Sequence, residues 1–311
     1  MSHLCSVLCV SFQHAKFAAA GLQSIYEQTY RDIEVIVLDD GSSDNSVEVI
    51  EAMLAESPFP TTFIKQANSG NVPANFNKVL DAASGDFVTM MSLDDLLMPD
   101  CIANAVEVLS RDLNIVFAAN TGHYEIDGNG RQITDVIHLP APENHPETAE
   151  DLIELEYSCL GSFYIQGQVF RRDALMAVGG FDDTMTGDDI ILRTRLFQHM
   201  VRHPELTFAL GNNVVLSYRK HGSNLHQNTF RQIKTVVQWK EKYFPERAYP
   251  DLFFKWLEAL IERSIKQDRP EDIRNASELS PQVAQFIRDK QKTWAYRRRI
   301  TKRKIRKLFG A

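Results

Sequence analysis

The run Glu34-Val35-Ile36-Val37-Leu38 constrains the fold more than any other stretch of the chain. Its consecutive β-branched, apolar side chains leave neither face of an extended segment for water. That is the pattern of a strand buried on both sides. The neighbouring sequence repeats the theme. Residues 6–10 read as a short apolar strand, and 15–28 have helical spacing anchored by Phe17, Leu22 and Ile25. A helix is expected over 43–56 with Val47, Ile50 and Leu54 on one face, then a strand over 62–64, a helix over 73–83 and a strand over 86–91. This β-α-β-α-β-α-β order predicts an α/β fold, a mainly parallel sheet with right-handed crossovers and helices on both faces.

Ligands of such sheets bind at the carboxyl ends of the strands. The polar clusters expected there are Ser11-Phe12-Gln13, Asp39-Asp40-Gly41-Ser42-Ser43-Asp44, Asn68-Ser69-Gly70 and Ser92-Leu93-Asp94-Asp95. Farther on, Asp127-Gly128-Asn129-Gly130 is a hairpin turn between 121–126 and 131–137. Residues 138–146, with three prolines, read as a loop. Helices are expected over 149–157, 172–178 and 188–198, and only helices from 229 onward. The domains read as 1–225 and a helical C-terminal extension, 226–311.

With 44% hydrophobic and 24% charged residues, the 311-residue chain has a globular balance. No apolar run approaches the roughly 18 residues of a membrane span, and residues 1–5 do not open a secretory leader. A cytoplasmic protein is therefore expected. Cys5, Cys9, Cys101 and Cys159 form no CxxC pair and read as buried free thiols. Charge is segregated. Between 288 and 307, eleven basic residues stand against one acidic residue, in a chain of formal net charge −7. Trp294, Tyr296, Leu308 and Phe309 lie in or beside that stretch. A basic tail with interleaved apolar residues suits an anionic membrane surface, and also reads as a solvated helix end.

The acidic clusters carry the candidate chemistry. Asp94-Asp95 at a strand end can hold a hard divalent cation against phosphate, or can cap the next helix. Asp39 and Asp40 can accept from a base or ribose, or can form an Asx turn that Gly41 completes. Asp188 and Asp189 begin a helix, and either can serve as a general base. Arg219 and Lys220 can neutralise a diphosphate, and His221 can join a metal shell or lie on the surface.

Order and spacing add to these readings. The segments SVLCVSFQ, SIYEQTYRDIEVIVLDDGSSDNS, NSGNVPANFNKVLDAASGDFVTMMSLDD, VGGFDDTMTGDDIILRTRL and YRKHGSN resemble, in that order, the motifs of the family-2 inverting glycosyltransferases with the GT-A fold, of bacterial polysaccharide type. The resemblance implies a GT-A (Rossmann-like) sheet and a nucleotide-sugar donor, a UDP-sugar first among them. Asp39 and Asp40 would meet the base, with Ser11 and Phe12 lining its pocket. Asp94 would lie at the ribose or metal-diphosphate region. Asp95 and His221 would bind Mn²⁺ or Mg²⁺, Arg219 the diphosphate, and Asp189 would be the base with Asp188 beside it. A saccharide or lipid-linked acceptor, with surface-polysaccharide synthesis as the setting and peripheral membrane attachment through 288–311, completes the expectation. No nucleic-acid partner is expected.

The match has departures. Ser92 stands where the family often has aspartate, Asn75 or its neighbours where an arginine is common, and Val10 and Gln13 replace proline and asparagine. Two rival readings are a nucleotide-sugar-binding protein without turnover and a sugar nucleotidyltransferase. The second needs a Gly-rich phosphate loop near the N-terminus, which SFQHAKFAAAG does not provide.

Overall fold

A computed structural model describes residues 3–222 and 228–293. The chain divides into two compact units, residues 1–222 and 223–311.

In the first unit, β1 (Cys5–Ser11), β2 (Ile33–Asp39), β3 (Thr61–Lys65) and β4 (Phe87–Ser92) alternate with α1 (Ala18–Tyr26), α2 (Ser46–Ala55) and α3 (Val72–Ala82). The four strands are parallel, in the order β3-β2-β1-β4. The described residues extend this to nine strands. β5 is Leu96–Leu97, β6 Ile115–Ile126, β7 Ile137–His138, β8 Val169–Arg171 and β9 Thr207–Arg219. β8 runs antiparallel to both β4 and β6, whereas β9 lies parallel to β6, giving a mixed sheet.

Alternation along the strands explains the uninterrupted apolar runs. Leu8, Ile36, Leu38, Val88 and Met90 point to one face, where α3, α5 (Ala149–Cys159) and α7 (Asp189–Arg202) supply Phe76, Leu152, Leu192 and Phe197. Cys5, Val7, Val35, Val37 and Phe87 point to the other, where α1, α2 and α4 (Cys101–Leu109) supply Leu22, Ile50 and Ile102. Both faces are dry, so period-two polarity is absent. All four cysteines are free. Cys5, Cys9 and Cys101 are buried, with thiols pushed up by that burial, to about 12 for Cys101; Cys159 is half-buried.

Several elements differ from the sequence reading. The α1 helix starts at Ala18, not at 15, because the backbone N–H groups of Gln13, His14 and Ala15 donate to Ser42, Ser46 and Asp44 side chains. The second arm of the 127–130 turn is not a strand over 131–137. It makes one bridge, Gln132 to Ile126, before the two-residue β7. The loop over 138–146 holds a 3₁₀ turn, Pro142–Asn144. The α4 helix and β5, β8 and β9 were not anticipated. β5 and β8 are too short for a period to register. The β9 strand carries Gly211-Asn212-Asn213 mid-strand, where its register against β6 shifts near Gly122.

The second unit contains α8 (Thr229–Tyr243), α9 (Asp251–Gln267), α10 (Pro270–Ser277) and α11 (Pro281–Lys292), with α6 (Arg172–Ala177) belonging to the first unit. Trp239, Phe253, Leu257, Leu260 and Ile261 are buried within it. Among the described residues no helix is long and apolar enough to cross a membrane. Most of the basic tail, and Ser223 and Asn224 of the late motif, lie outside the described residues.

Candidate active site

Four strand ends and one helix start supply the site. At the end of β1, Ser11 is buried and its hydroxyl has no hydrogen-bond partner among the described residues. Phe12 beside it is 44% exposed, a large aromatic face in water. At the end of β2, both Asp39 oxygens accept from Ser42, one from its N–H at 2.8 Å and one from its hydroxyl at 2.7 Å. Gly41 turns this Asx loop at φ +73°. A Cβ there would lie 2.5 Å from the Asn68 nitrogen, so the turn requires glycine. Asp40 accepts from Gln66 Nε2 (2.6 Å) and Ser69 N (2.8 Å). Burial raises its pKa, but these bonds outweigh burial and hold it below the usual carboxylate range. Asp39 and Asp40 thus shape adjoining loops, and Asn75 is drawn into the same network through Gln66 and Ser69.

Asp94 and Asp95 follow β4. Asp94 Oδ2 lies 2.9 Å from His221 Nε2 and 3.9 Å from His14 Nε2. Burial opposes its ionisation, but the two imidazoles prevail and its pKa falls to about 2. Asp95 is 1% exposed. Burial first, and the charge of Asp94 second, push it well above the usual range. Its Oδ1 accepts from the Arg219 backbone N–H at 2.7 Å, while Arg219 Nε donates to the Asp94 carbonyl at 2.6 Å. The Arg219 guanidinium is centred 5.0 Å from the Phe17 ring, which also packs on His221 at 4.7 Å. Arg219 therefore holds the aspartate pair and its loop from β9. Lys220 pairs with Glu125 at 2.9 Å.

Asp188 and Asp189 open α7. Asp188 is half-buried and makes no capping bond. Asp189, its side chain 31% exposed, accepts from Ile165 N–H at 3.2 Å and lies 3.6 Å from Arg193. Burial and the neighbouring Asp188 raise its pKa to about 7 despite Arg193.

Residues 165 and 166 reach the segments of both aspartate pairs. Ile165 N–H donates to Asp189, and the Gln166 side-chain oxygen accepts at 2.7 Å from the N–H of Ser92, two residues before Asp94. Tyr164 stacks on Tyr218 at 5.5 Å. The Tyr218 phenol, pushed up by burial first, also feels Asp95, Asp94 and Asp189. Sequence reasoning placed Asp94, Asp95, Asp189, Arg219 and His221 among the candidates. It missed His14, Glu156, Tyr164 and Gln166, which carry no motif, and Arg193, which lies within VGGFDDTMTGDDIILRTRL but was given no role; all five are recruited by the tertiary fold.

Among the described residues, no three His, Cys, Asp or Glu side chains form a closed cation site. What does fit a divalent cation is the donor chemistry at Asp94: an ionised carboxylate touching an imidazole, beside a second carboxyl. Mn²⁺ and Mg²⁺ commonly take one or two carboxylates from a protein and the rest of their shell from phosphate and water.

This arrangement, paired carboxylates at the carboxyl edge of a mixed sheet, defines a GT-A fold. The fold is shared with a mannosyltransferase from Pyrobaculum calidifontis solved with GDP-Man and Mn²⁺ (19% identity, TM-score 0.56, 97% of this chain and 84% of that one). It is also shared with S. aureus TarS in complex with UDP-GlcNAc (14% identity, TM-score 0.60, 96% and 89%). The sequence model of Glycosyl transferase family 2 matches residues 6–179, over half of the chain. The chain belongs to Glycosyl transferase family 2. It is 29% identical over 230 residues to an uncharacterized glycosyltransferase of Nostoc sp., and the match spans 72% of this chain and 66% of that relative.

Proposed function

We propose that the chain is a metal-dependent inverting glycosyltransferase that moves a sugar from a nucleotide-sugar, a UDP-sugar first among candidates, to a saccharide or lipid-linked acceptor. The observation that carries this reading is the 165–166 segment, whose Ile165 N–H donates to Asp189 and whose Gln166 side-chain oxygen accepts from the Ser92 N–H just before Asp94-Asp95. This supports donor-side and acceptor-side carboxylates sharing one region.

In this mechanism Asp189 accepts the proton of the acceptor hydroxyl as its oxygen attacks the anomeric carbon. The bond from that carbon to the phosphate oxygen breaks, its electron pair leaves with the nucleoside diphosphate, and the configuration inverts. A base whose pKa lies near 7 matches neutral working conditions. Asp94, Asp95 and His221 would hold a Mn²⁺ or Mg²⁺ ion, with Arg219 fixing the two aspartates. Such an ion stabilises charge on the departing diphosphate when bound. Ser11, its buried hydroxyl lacking a partner among the described residues, and the exposed Phe12 would line the base pocket. Asp39 and Asp40 would set its floor, and Asp188 would flank the sugar.

The domain reading of 1–225 and 226–311 belongs to this proposal, with the extension carrying the basic segment 288–311 to an anionic membrane face. Flotation with anionic liposomes, with and without 288–311, tests that part; equal flotation of the two rejects it. A thermal-shift screen of UDP-, GDP- and dTDP-sugars with Mn²⁺, followed by product detection, tests the rest. Release of nucleoside diphosphate is expected. Pyrophosphate would identify a nucleotidyltransferase, and binding without product a carrier.

A further inference from the structure

Behind Asp189 lies a buried ion pair that the proposed reaction does not itself use. Arg193 on α7 is 2% exposed and Glu156 on α5 is 1% exposed at their side chains. Arg193 Nε and one terminal nitrogen donate to the two Glu156 oxygens at 2.8 and 2.7 Å. Its other terminal nitrogen donates to the Phe163 carbonyl and stands 3.6 Å from Asp189 Oδ2, beyond hydrogen-bond length. Ser162 donates its hydroxyl to Glu156 as well, and the guanidinium lies over the Phe163 ring at 5.2 Å.

A buried guanidinium one helical turn from a carboxylate would ordinarily close on it in a bidentate pair. Here the fork is already occupied. The other ionisable groups facing Asp189 are Asp188 at the helix start, Tyr164 from the 158–168 segment and Tyr218 from β9. Arg193 is thus the cation beside the base among the described residues, and Glu156 neutralises it.

We infer that Glu156 is a positioning residue for this site: by engaging Arg193 on both oxygens it keeps the guanidinium from closing on Asp189 and leaves that carboxylate free to take a proton. The inference rests on the reading of Asp189 as the base. With Glu156 present, Arg193 orders the 162–165 loop without quenching Asp189. With Glu156 neutral, its charge has Asp189 as the nearest counter-ion.

The test is the pH profile of kcat in the full-length protein. Glu156→Gln should move the acid limb to lower pH and reduce the plateau, because a more strongly paired base is a weaker one. The double variant Glu156→Gln/Arg193→Met, which removes both charges, should return the limb to the wild-type position or above it. Limbs that coincide in all three proteins, or a double variant shifted down like the single one, overturn the inference and leave the pair a brace only. Should Glu156→Gln fail to fold, Arg193→Met combined with Glu156→Met carries the decision: its limb must not lie below that of the wild type. Asp189→Asn is the separate control, since retained turnover there defeats the base assignment and not the role of Glu156 alone.

Discussion

Asp94-Asp95 and Asp188-Asp189 are the same dipeptide in two settings. The first pair ends a strand, and its leading member faces two imidazoles, which depress Asp94 to about 2 against the effect of burial. The second pair begins a helix, and the cation nearest Asp189 is already engaged by Glu156, so burial and Asp188 lift it to about 7. Identical residues thus become a standing anion in one place and, in the other, a carboxyl that titrates near neutrality, as the proposed base role requires. What differs is the company each keeps, and whether the neighbouring cation is free to pair.

The sharpest way to break this contrast is to neutralise each pair in turn. Asp189→Asn should reduce turnover by about 10²–10⁴-fold, measured as nucleoside diphosphate release. Glu156→Gln should destabilise the protein by about 3–5 kcal/mol in denaturant unfolding, because it strands a buried guanidinium. The double Met replacement of Glu156 and Arg193 should cost far less. Asp94→Asn should weaken Mn²⁺ binding by roughly tenfold or more, read from the electron paramagnetic resonance of free Mn²⁺. On the nucleotide side, Gly41→Ala should cost at least about 1 kcal/mol, since the turn sits at φ +73° against Asn68.

The smallest effect is on stability against pH. Asp189 keeps its proton in the folded protein up to about pH 7, whereas the unfolded chain releases it near pH 4. The folded state therefore binds more protons in that window, and this group's contribution to stability falls as pH rises through it. Asp189→Asn should raise the melting temperature slightly at pH 7.5, with the gain vanishing near pH 4. Asp94 has the opposite sign: its contribution is present above about pH 4 and is lost as pH falls toward 2.

The parallel half of the sheet was legible because both faces of its strands are covered, which leaves apolar runs such as Val35–Leu38 that few other structures permit. The polar clusters after β1, β2 and β4 were legible for the same reason. β9 was not, since most of its residues are only half-buried and its register shifts against β6 erase a two-residue period. In the site, the aspartates announced themselves as adjacent pairs. Glu156 and Arg193 did not: they are 37 positions apart, and read singly each is a helix residue that could lie on a solvated face. Tyr164 and Gln166 lie in a stretch with no motif, and their importance comes from tertiary contacts, Tyr164 stacking on Tyr218 and Gln166 accepting from Ser92 N–H.

The account depends on the two aspartate pairs serving opposite ends of one reaction. Calorimetric titration of Asp189→Asn with the nucleotide-sugar in Mn²⁺, set beside its turnover, tests this most directly. Wild-type donor affinity with turnover lost is the predicted result. Parallel loss of affinity and turnover would contradict the division of labour and remove Asp189 from the role of base.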